Sequence, residues 1–291
     1  MAITYHAGRR IQGTQSDFDG TPAVSGGWKE LGRTTLGSAG DTISVSSLDD
    51  KRYYMILGDI SNTGGDTVSH VRANSDSLGN YALRRAVNGT EATPSTGTNR
   101  FMSTHDSKSV DSRFIQGYIA NKSNKEKLGI FNVVENPSTG AGTASSRIEG
   151  VGKHVQTNSA LNELQLFNDE AGSFDTGGEL VVLGWDPSDT HNTNFWEQLA
   201  SVELGADGDN LSSGTISAKK YLWVQAAIMT SSAGTLVEHE ITFNNDTSWT
   251  NGVDGNYAQR YSYQGGADAT LTYRTNWLFA AGSNNKGIAF L

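Results

Sequence analysis

Trp28-Lys-Glu-Leu-Gly-Arg-Thr-Thr-Leu-Gly-Ser-Ala-Gly-Asp41 is answered by Trp196-Glu-Gln-Leu-Ala-Ser-Val-Glu-Leu-Gly-Ala-Asp-Gly-Asp209 at a constant offset of 168 residues (28 to 196). The match runs on without a gap to Ile56 and Val224: Ser44 falls on Ser212, Lys51 on Lys219 and Tyr53 on Tyr221. Further along, Asn74-Ser-Asp76 answers Asn244-Asn-Asp246, and Asn80-Tyr-Ala-Leu-Arg84 answers Asn256-Tyr-Ala-Gln-Arg260. Loop-length differences raise the offset there to 170 (74 to 244) and then 176 (80 to 256). A period this long means duplicated domains rather than a short-repeat solenoid. Chemistry rarely needs two copies of a module, whereas building a surface often does.

The 291 residues are enough for two domains, each with its own core. Gly, Ser, Thr, Asn and Asp are abundant and only 4 Pro occur. Short apolar runs between turn residues are the composition of an all-β protein. The formal charge of −9 argues against a nucleic-acid groove, which needs a basic patch. No cysteine is present, so the fold uses neither a disulfide nor a thiolate zinc site. The first ten residues carry no apolar signal-like core, and no run reaches membrane-spanning length. Sequons at Asn88, Asn121, Asn210 and Asn245 read as chance products of an Asn/Ser/Thr-rich chain.

Residues 1–26 read as an extended arm, or as a first strand packed on its own domain. A first β-sandwich domain is expected over 27–186, a polar linker over 187–194, and a shortened repeat of the first domain over 195–291. Expected strands of copy one are Thr42 to Ser46, Tyr53 to Leu57, Val68 to Arg72, Phe114 to Ile119, Leu128 to Val134, Ser146 to Val151, Leu161 to Phe167 and Glu179 to Gly184. Copy two offers Thr215 to Ser217, Tyr221 to Ala227, Val237 to Phe243, Ala258 to Tyr263, Leu271 to Phe279 and Gly287 to Leu291. The spacing points to two tandem jelly-roll-like β-sandwiches, the second shortened. Copy two has no clear counterpart of Leu161 to Phe167 or of Leu180 to Leu183. Three explanations are open: a gene that continues, completion by another subunit, or a smaller sandwich.

No catalytic, cofactor-binding or metal-binding residue stands out. The histidines at 6, 70, 105, 154, 191 and 239 form no close metal-ligand pair. On a strand, Glu238 and Glu240 share one face and His239 takes the other. Gly-x-Ser-x-Gly and phosphate-loop motifs are absent from the sequence. Gly205-Ala-Asp-Gly-Asp-Asn210 and Asn244-Asn-Asp246 with Asp254 are oxygen-rich, which makes calcium a candidate; Asx-turns explain the same residues without metal. Tyr53, Tyr54, Tyr221 and Trp223 read as core rather than as a sugar platform, and Trp28 and Trp196 as large buried side chains whose indole N–H finds a partner. Asn80 and Asn256 hold a turn, Asp76 and Asp246 cap it, and Arg84 and Arg260 are placed to pair with those acids.

The repeat consensus, Trp-x-x-Leu then Leu-Gly-x-x-Gly-Asp, Asn-x-Asp and Asn-Tyr-Ala-x-Arg, resembles a module of tailed-phage virion structural proteins, including marine metagenomic ones. Ile119-Ala-Asn121 with Lys127-Leu128, and Gly172-Ser-Phe174 with Gly177-Gly-Glu-Leu-Val-Val-Leu-Gly184, resemble its second half. Copy two lacks that closing element. The resemblance implies a non-enzymatic virion protein assembled in the host cytoplasm, an exterior capsid decoration or a head or tail fibre component. Its implied partners are other virion proteins and itself, as a homo-oligomer, with a host-surface glycan as a further candidate and neither nucleic acid nor membrane. It implies no catalytic residue, and no cofactor is expected beyond the calcium candidate above. The alternatives are a carbohydrate-binding adhesin module, or a subunit of a cellular surface filament assembled by strand exchange.

Overall fold

Glu179-Leu-Val-Val-Leu-Gly-Trp185 is apolar at successive positions, the pattern of a strand covered on both faces. In the computed structural model it is the last strand of copy one. The described residues are 27–104, 112–189, 194–204, 206, 210–226, 237–247, 255–262 and 268–282. The expected arm, residues 1–26, and the expected strand Gly287 to Leu291 lie outside them. In chain order the strands are β1 (Lys29–Thr35), β2 (Thr42–Ser46), β3 (Tyr53–Thr63), β4 (His70–Ala73), β5 (Tyr81–Val87), β6 (Thr90–Glu91), β7 (Ser95–Thr98), β8 (Met102–Ser103) and β9 (Ser112–Ala120). There follow β10 (Lys127–Asn136), β11 (Ser146–His154), β12 (Glu163–Phe167), β13 (Ser173–Phe174), β14 (Glu179–Trp185), β15 (Val237–Ile241), β16 (Tyr257–Tyr261), β17 (Ala269–Arg274) and β18 (Trp277–Gly282). The described residues contain no helix, and every pairing is antiparallel.

Copy one forms two sheets around one core, the arrangement of a β-sandwich. The large sheet runs β1-β14-β3-β9-β10-β11-β5, with β6 and β7 on β5 and β13 on the end of β3. The small sheet runs β2-β12-β4-β8. Ile43, Val71, Leu164 and Leu166 of the small sheet meet Tyr54, Ile56, Ile115, Phe131 and Val182 of the large one. Strand β10 alternates buried and exposed residues along its length, so period two sets its inner face. Phe131 faces Gly117 on β9 and Gly150 on β11. A Cβ on Gly117 would overlap the Phe131 ring, and one on Gly129 would come within 2.5 Å of it. These glycines let the ring lie against the sheet.

Polar groups tie the sheets at one end. Arg113 on β9 donates from Nε to Glu135 Oε1 at 2.8 Å, from Nη1 to Thr67 Oγ1 at 2.6 Å and from Nη2 to the Thr67 carbonyl at 2.7 Å. Both members of the pair are buried, so each charge relies on these bonds in place of water.

Copy two repeats part of this geometry closely. Asn74 and Ser75 both take a left-handed φ of 52°, and Asn244 and Asn245 take 55° and 54°. Asp76 N–H donates to the Ala73 carbonyl and Asp246 N–H to the Phe243 carbonyl, each at 2.9 Å. Asn80 Nδ2 donates to Asp76 Oδ2 at 2.9 Å, and Asn256 Nδ2 to Asp246 Oδ2 at 2.8 Å. Tyr81 closes the corner by donating to the Ala73 carbonyl and accepting from its N–H; Tyr257 does the same with Phe243. The register follows at the offset of 176: Tyr81 opposite Thr98 and Leu83 opposite Ser95 become Tyr257 opposite Arg274 and Gln259 opposite Leu271. An irregularity follows each Tyr, and Tyr273 takes the positive φ that Gly97 takes in copy one.

Other expectations change. The strands expected at Thr215 to Ser217 and from Tyr221 do not form, since the described part of 194–226 holds no strand. Its counterpart β3 is hydrogen-bonded between β14 and β9, and among the described residues those flanking strands belong to copy one. The run Leu271 to Phe279 is two strands, β17 and β18, broken at Thr275 and Asn276. Strand β1 was not anticipated: its residues are largely polar, because it is an edge strand paired only with β14. The described residues of 237–282 form two two-stranded sheets, β15–β18 and β16–β17. The second touches the β10–β11 turn, where Tyr273 N–H donates to the Ala141 carbonyl and Arg260 Nε to the Ser145 carbonyl, both at 3.0 Å.

Substituting Gly117→Ala forces a methyl into the Phe131 ring and should cost about 1–3 kcal/mol, the range for overpacked cores. Denaturant unfolding measures it; an unchanged midpoint would show that the ring has room to move.

Candidate functional site

Strand register arranges the outward side chains of the large sheet as a grid. Tyr118, Ile130 and Val151 form one row across β9, β10 and β11. Gln116, Asn132 and Glu149 form the next, and Phe114, Val134 and Arg147 the third. The rows continue onto β3, where Met55 stands opposite Tyr118 and Leu57 opposite Gln116. Leu183 and Val181 on β14 extend them again.

Half of this face is covered. Met55, Leu57, Val181 and Leu183 are buried beneath Trp28, Phe195, Trp196 and Tyr221. The Trp28 ring lies 6.2 Å from that of Tyr118, and Tyr221 lies 6.0 Å from Phe114. Phe195 N–H donates to the Trp28 carbonyl. The leading part of copy two thus lies across the sheet of copy one. The other half is open: Leu128 is 57% exposed, Ile130 59%, Val134 49% and Val151 51%. A fully buried aliphatic side chain of this size is worth about 1.5–3 kcal/mol. Contiguous exposed apolar surface marks an interaction site.

One carboxylate fastens the covering segment. Glu179 accepts from Tyr221 OH at 2.9 Å and from Thr35 Oγ1 at 3.0 Å, and its oxygens lie 3.2 Å from Lys220 Nζ and 3.4 Å from Arg33 Nη1. Burial works against its charge. The donors Tyr221, Thr35 and Lys220, with the Arg33 guanidinium, outweigh that and hold its pKa below the usual glutamate range. Burial, then the same carboxylate, pushes the Tyr221 phenol upward.

Titratable clusters elsewhere are built into the fold. Asp169 and Arg100 converge on His70 Nε2, and burial, then the Arg100 charge, brings its pKa down to about 4 against the pull of Asp169. His154 stacks on Tyr81 at 4.2 Å and bonds Asp76 at 2.8 Å; burial lowers its pKa despite that carboxylate. Neither imidazole is hydrogen-bonded to a hydroxyl among the described residues, so no nucleophile and base are paired there. No group of three or more His, Asp or Glu able to hold a metal occurs among the described residues. Of the oxygen-rich calcium candidates, Gly205, Asp207, Gly208, Asp209 and Asp254 lie outside them, and Asp246 is engaged by Asn256. The side chains of Glu238 and His239 also lie outside what is described. Asn121 of the second sequon is buried and donates to Asp50 and to the Lys51 carbonyl, a place with no room for a glycan.

Several expected roles shift. Arg84 pairs with Glu91 and Arg260 reaches Ser145, while Asp76 is satisfied by Asn80 and His154. Trp196 is half-buried on the outer face, and its buried Nε1 has no hydrogen-bond partner. Tyr54 is core, but Trp223 is 48% exposed. The open stripe was missed, although Leu128-Gly-Ile-Phe-Asn-Val-Val134 carries its signal: apolar residues in both phases of the alternation. No family model matches this chain, and no curated protein matches it in sequence.

Substituting Glu179→Ala should loosen the covering segment, raise protease cleavage within 194–226 and cost about 1–3 kcal/mol, as for lost bonds to a charged group. Acid should act alike. Because the folded carboxyl titrates below its unfolded value, its contribution is complete above the ordinary glutamate range and is lost as pH falls through the depressed value. Unchanged cleavage at low pH and in the variant would show that the apolar contacts alone hold the segment.

Proposed function

We propose that this chain is a non-enzymatic virion structural protein, built as two tandem jelly-roll-like sandwiches. We place it on the particle exterior, as capsid decoration or as part of a head or tail fibre, in contact with other virion proteins and with itself. The observation that carries the reading is the corner built twice. The same left-handed pair, Asn–Asp bond, Tyr closure and strand register recur at Asn74 to Thr98 and at Asn244 to Arg274. These are folding roles, and duplicating them duplicates a surface. The apolar outer face of the large sheet supports the same reading, because it is half occupied by packing and half open.

A glycan-binding role draws on one observation, the polar row Gln116, Asn132 and Glu149 between the exposed rings of Tyr118 and Phe114. The aliphatic neighbours Leu128, Ile130, Val134 and Val151 weigh against it, since they offer no ring face for a sugar to stack on.

Immunogold labelling of negatively stained particles against this protein should decorate the outside of the capsid or a fibre. Unlabelled particles, together with glycan-array binding by the purified chain, would replace the structural reading with the adhesin one.

A further inference from the structure

Two apolar surfaces lie side by side on the same face of this molecule. One is the open stripe of β10 and β11, with Leu128, Ile130 and Val151. The other is the solvent-facing side of the 194–226 segment, where Leu222 is 48% and Val224 38% exposed. The described part of the segment lays Phe195, Trp196 and Tyr221 over one half of the sheet face and leaves the other half a layer lower. We propose that a second copy of this chain packs here by a two-fold axis that follows the step, so that each copy's 194–226 segment lies against the other copy's β10 and β11.

Shape selects a second copy. A two-fold turn brings the raised half of one molecule onto the lowered half of the other, and the residues that meet do so twice. Packed sheet layers are about 10 Å apart, which is the depth of one layer of covering chain. Both segments then lie side by side between two large sheets, and both apolar surfaces are buried together.

Continuity points the same way. Phe114 and Tyr118 on β9 stand at the boundary, in contact with Tyr221 and Trp28 on one side and still 41% and 37% exposed. The proposed contact extends an apolar packing that the chain already makes with itself. Electrostatics permit it. The net charge of −9 opposes association at long range, but the charges bordering the stripe are matched locally: Lys153 with Glu126 at 3.0 Å, and Arg147 with Glu149 at 3.4 Å. These pairs spare the border of the stripe an unpaired buried charge, the arrangement that would cost most.

This deepens the assembly reading, resting on its expectation of self-association, and its test is separate. Sedimentation equilibrium on the full chain should show a dimer. Ile130→Lys and Leu222→Glu should each weaken it by roughly tenfold or more. Mixing the two variants should restore a heterodimer, because one half of the interface then pairs Lys with Glu and the other keeps Ile with Leu. Both positions are exposed, so far-UV circular dichroism and the melting temperature should not change; Val151→Lys replaces Ile130→Lys if that variant does not fold. A wild-type chain that stays monomeric at about 100 μM, far above the Kd of a stable dimer, overturns the proposal. So do variants that dimerise as well as wild type, or mixing that restores nothing. Particle labelling answers the virion question whatever the outcome here.

Discussion

Strands β3 and β14 bury apolar side chains on both faces of one sheet, and the rest of the architecture has to accommodate that. Ile56 and Val182 point into the core against the small sheet, while Met55, Leu57, Val181 and Leu183 point the other way. A sandwich of two sheets covers only one of those faces. The second cover comes from residues immediately before β1 and from the leading part of copy two. Their path is fixed by the Trp28–Phe195 backbone bond, the aromatic contacts and the four donors around Glu179. Stability of the first copy is thereby coupled to residues far along the chain.

The two copies diverge where their structural requirements differ. The Asn–Asp–Tyr bonds of the corner join residues within about one strand and turn of each other, so they form in both copies, while in copy one His154 and the 160–163 stretch add further bonds to Asp76 and Asn74. The Trp-x-x-Leu region is different. In copy one its strands are held by β9, β12 and β14, all remote in sequence. Among the described residues, copy one already uses those partners. In its described part the matching stretch of copy two makes no strand pairing, and its aromatic residues serve a different use, packing onto the sheet of copy one. One sequence motif therefore yields two local structures, because strand formation depends on edge partners and burial more than on the strand's own residues.

Polar groups in the interior serve cohesion. Arg113, Glu135 and Thr67 join the two sheets at one end, and His154, Asp76 and Asn80 hold the corner against Tyr81. The two buried histidines among the described residues, His70 and His154, are shifted toward the neutral form, which spares the interior an uncompensated charge. Some buried polar atoms, Trp196 Nε1 and His70 Nδ1 among them, have no hydrogen-bond partner, and the largest uncovered feature among the described residues is a stripe of aliphatic side chains on the outer face of the large sheet. Exposed apolar surface of this kind marks a place for packing, which is in line with the assembly role proposed above.

The sequence by itself determined the all-β class, most strands of copy one to within a few residues, the long repeat and the turn chemistry of Asn80 and Asn256. Each of these is local: turn residues set breaks, period two sets faces, and a side-chain amide reaches a carboxylate a few residues away. Even the two-faced apolar character of β10 was present in Leu128 to Val134. Only the tertiary structure decided which faces are covered and by what. It placed the polar edge strand β1 beside β14, left the described part of 194–226 without strands, sent Trp196 to an outer face and gave Arg84 and Arg260 partners other than the expected acids. The physical reason is that alternation fixes how a strand presents its side chains, while pairing and covering are settled by competition among segments distant in sequence for a limited number of edges and faces.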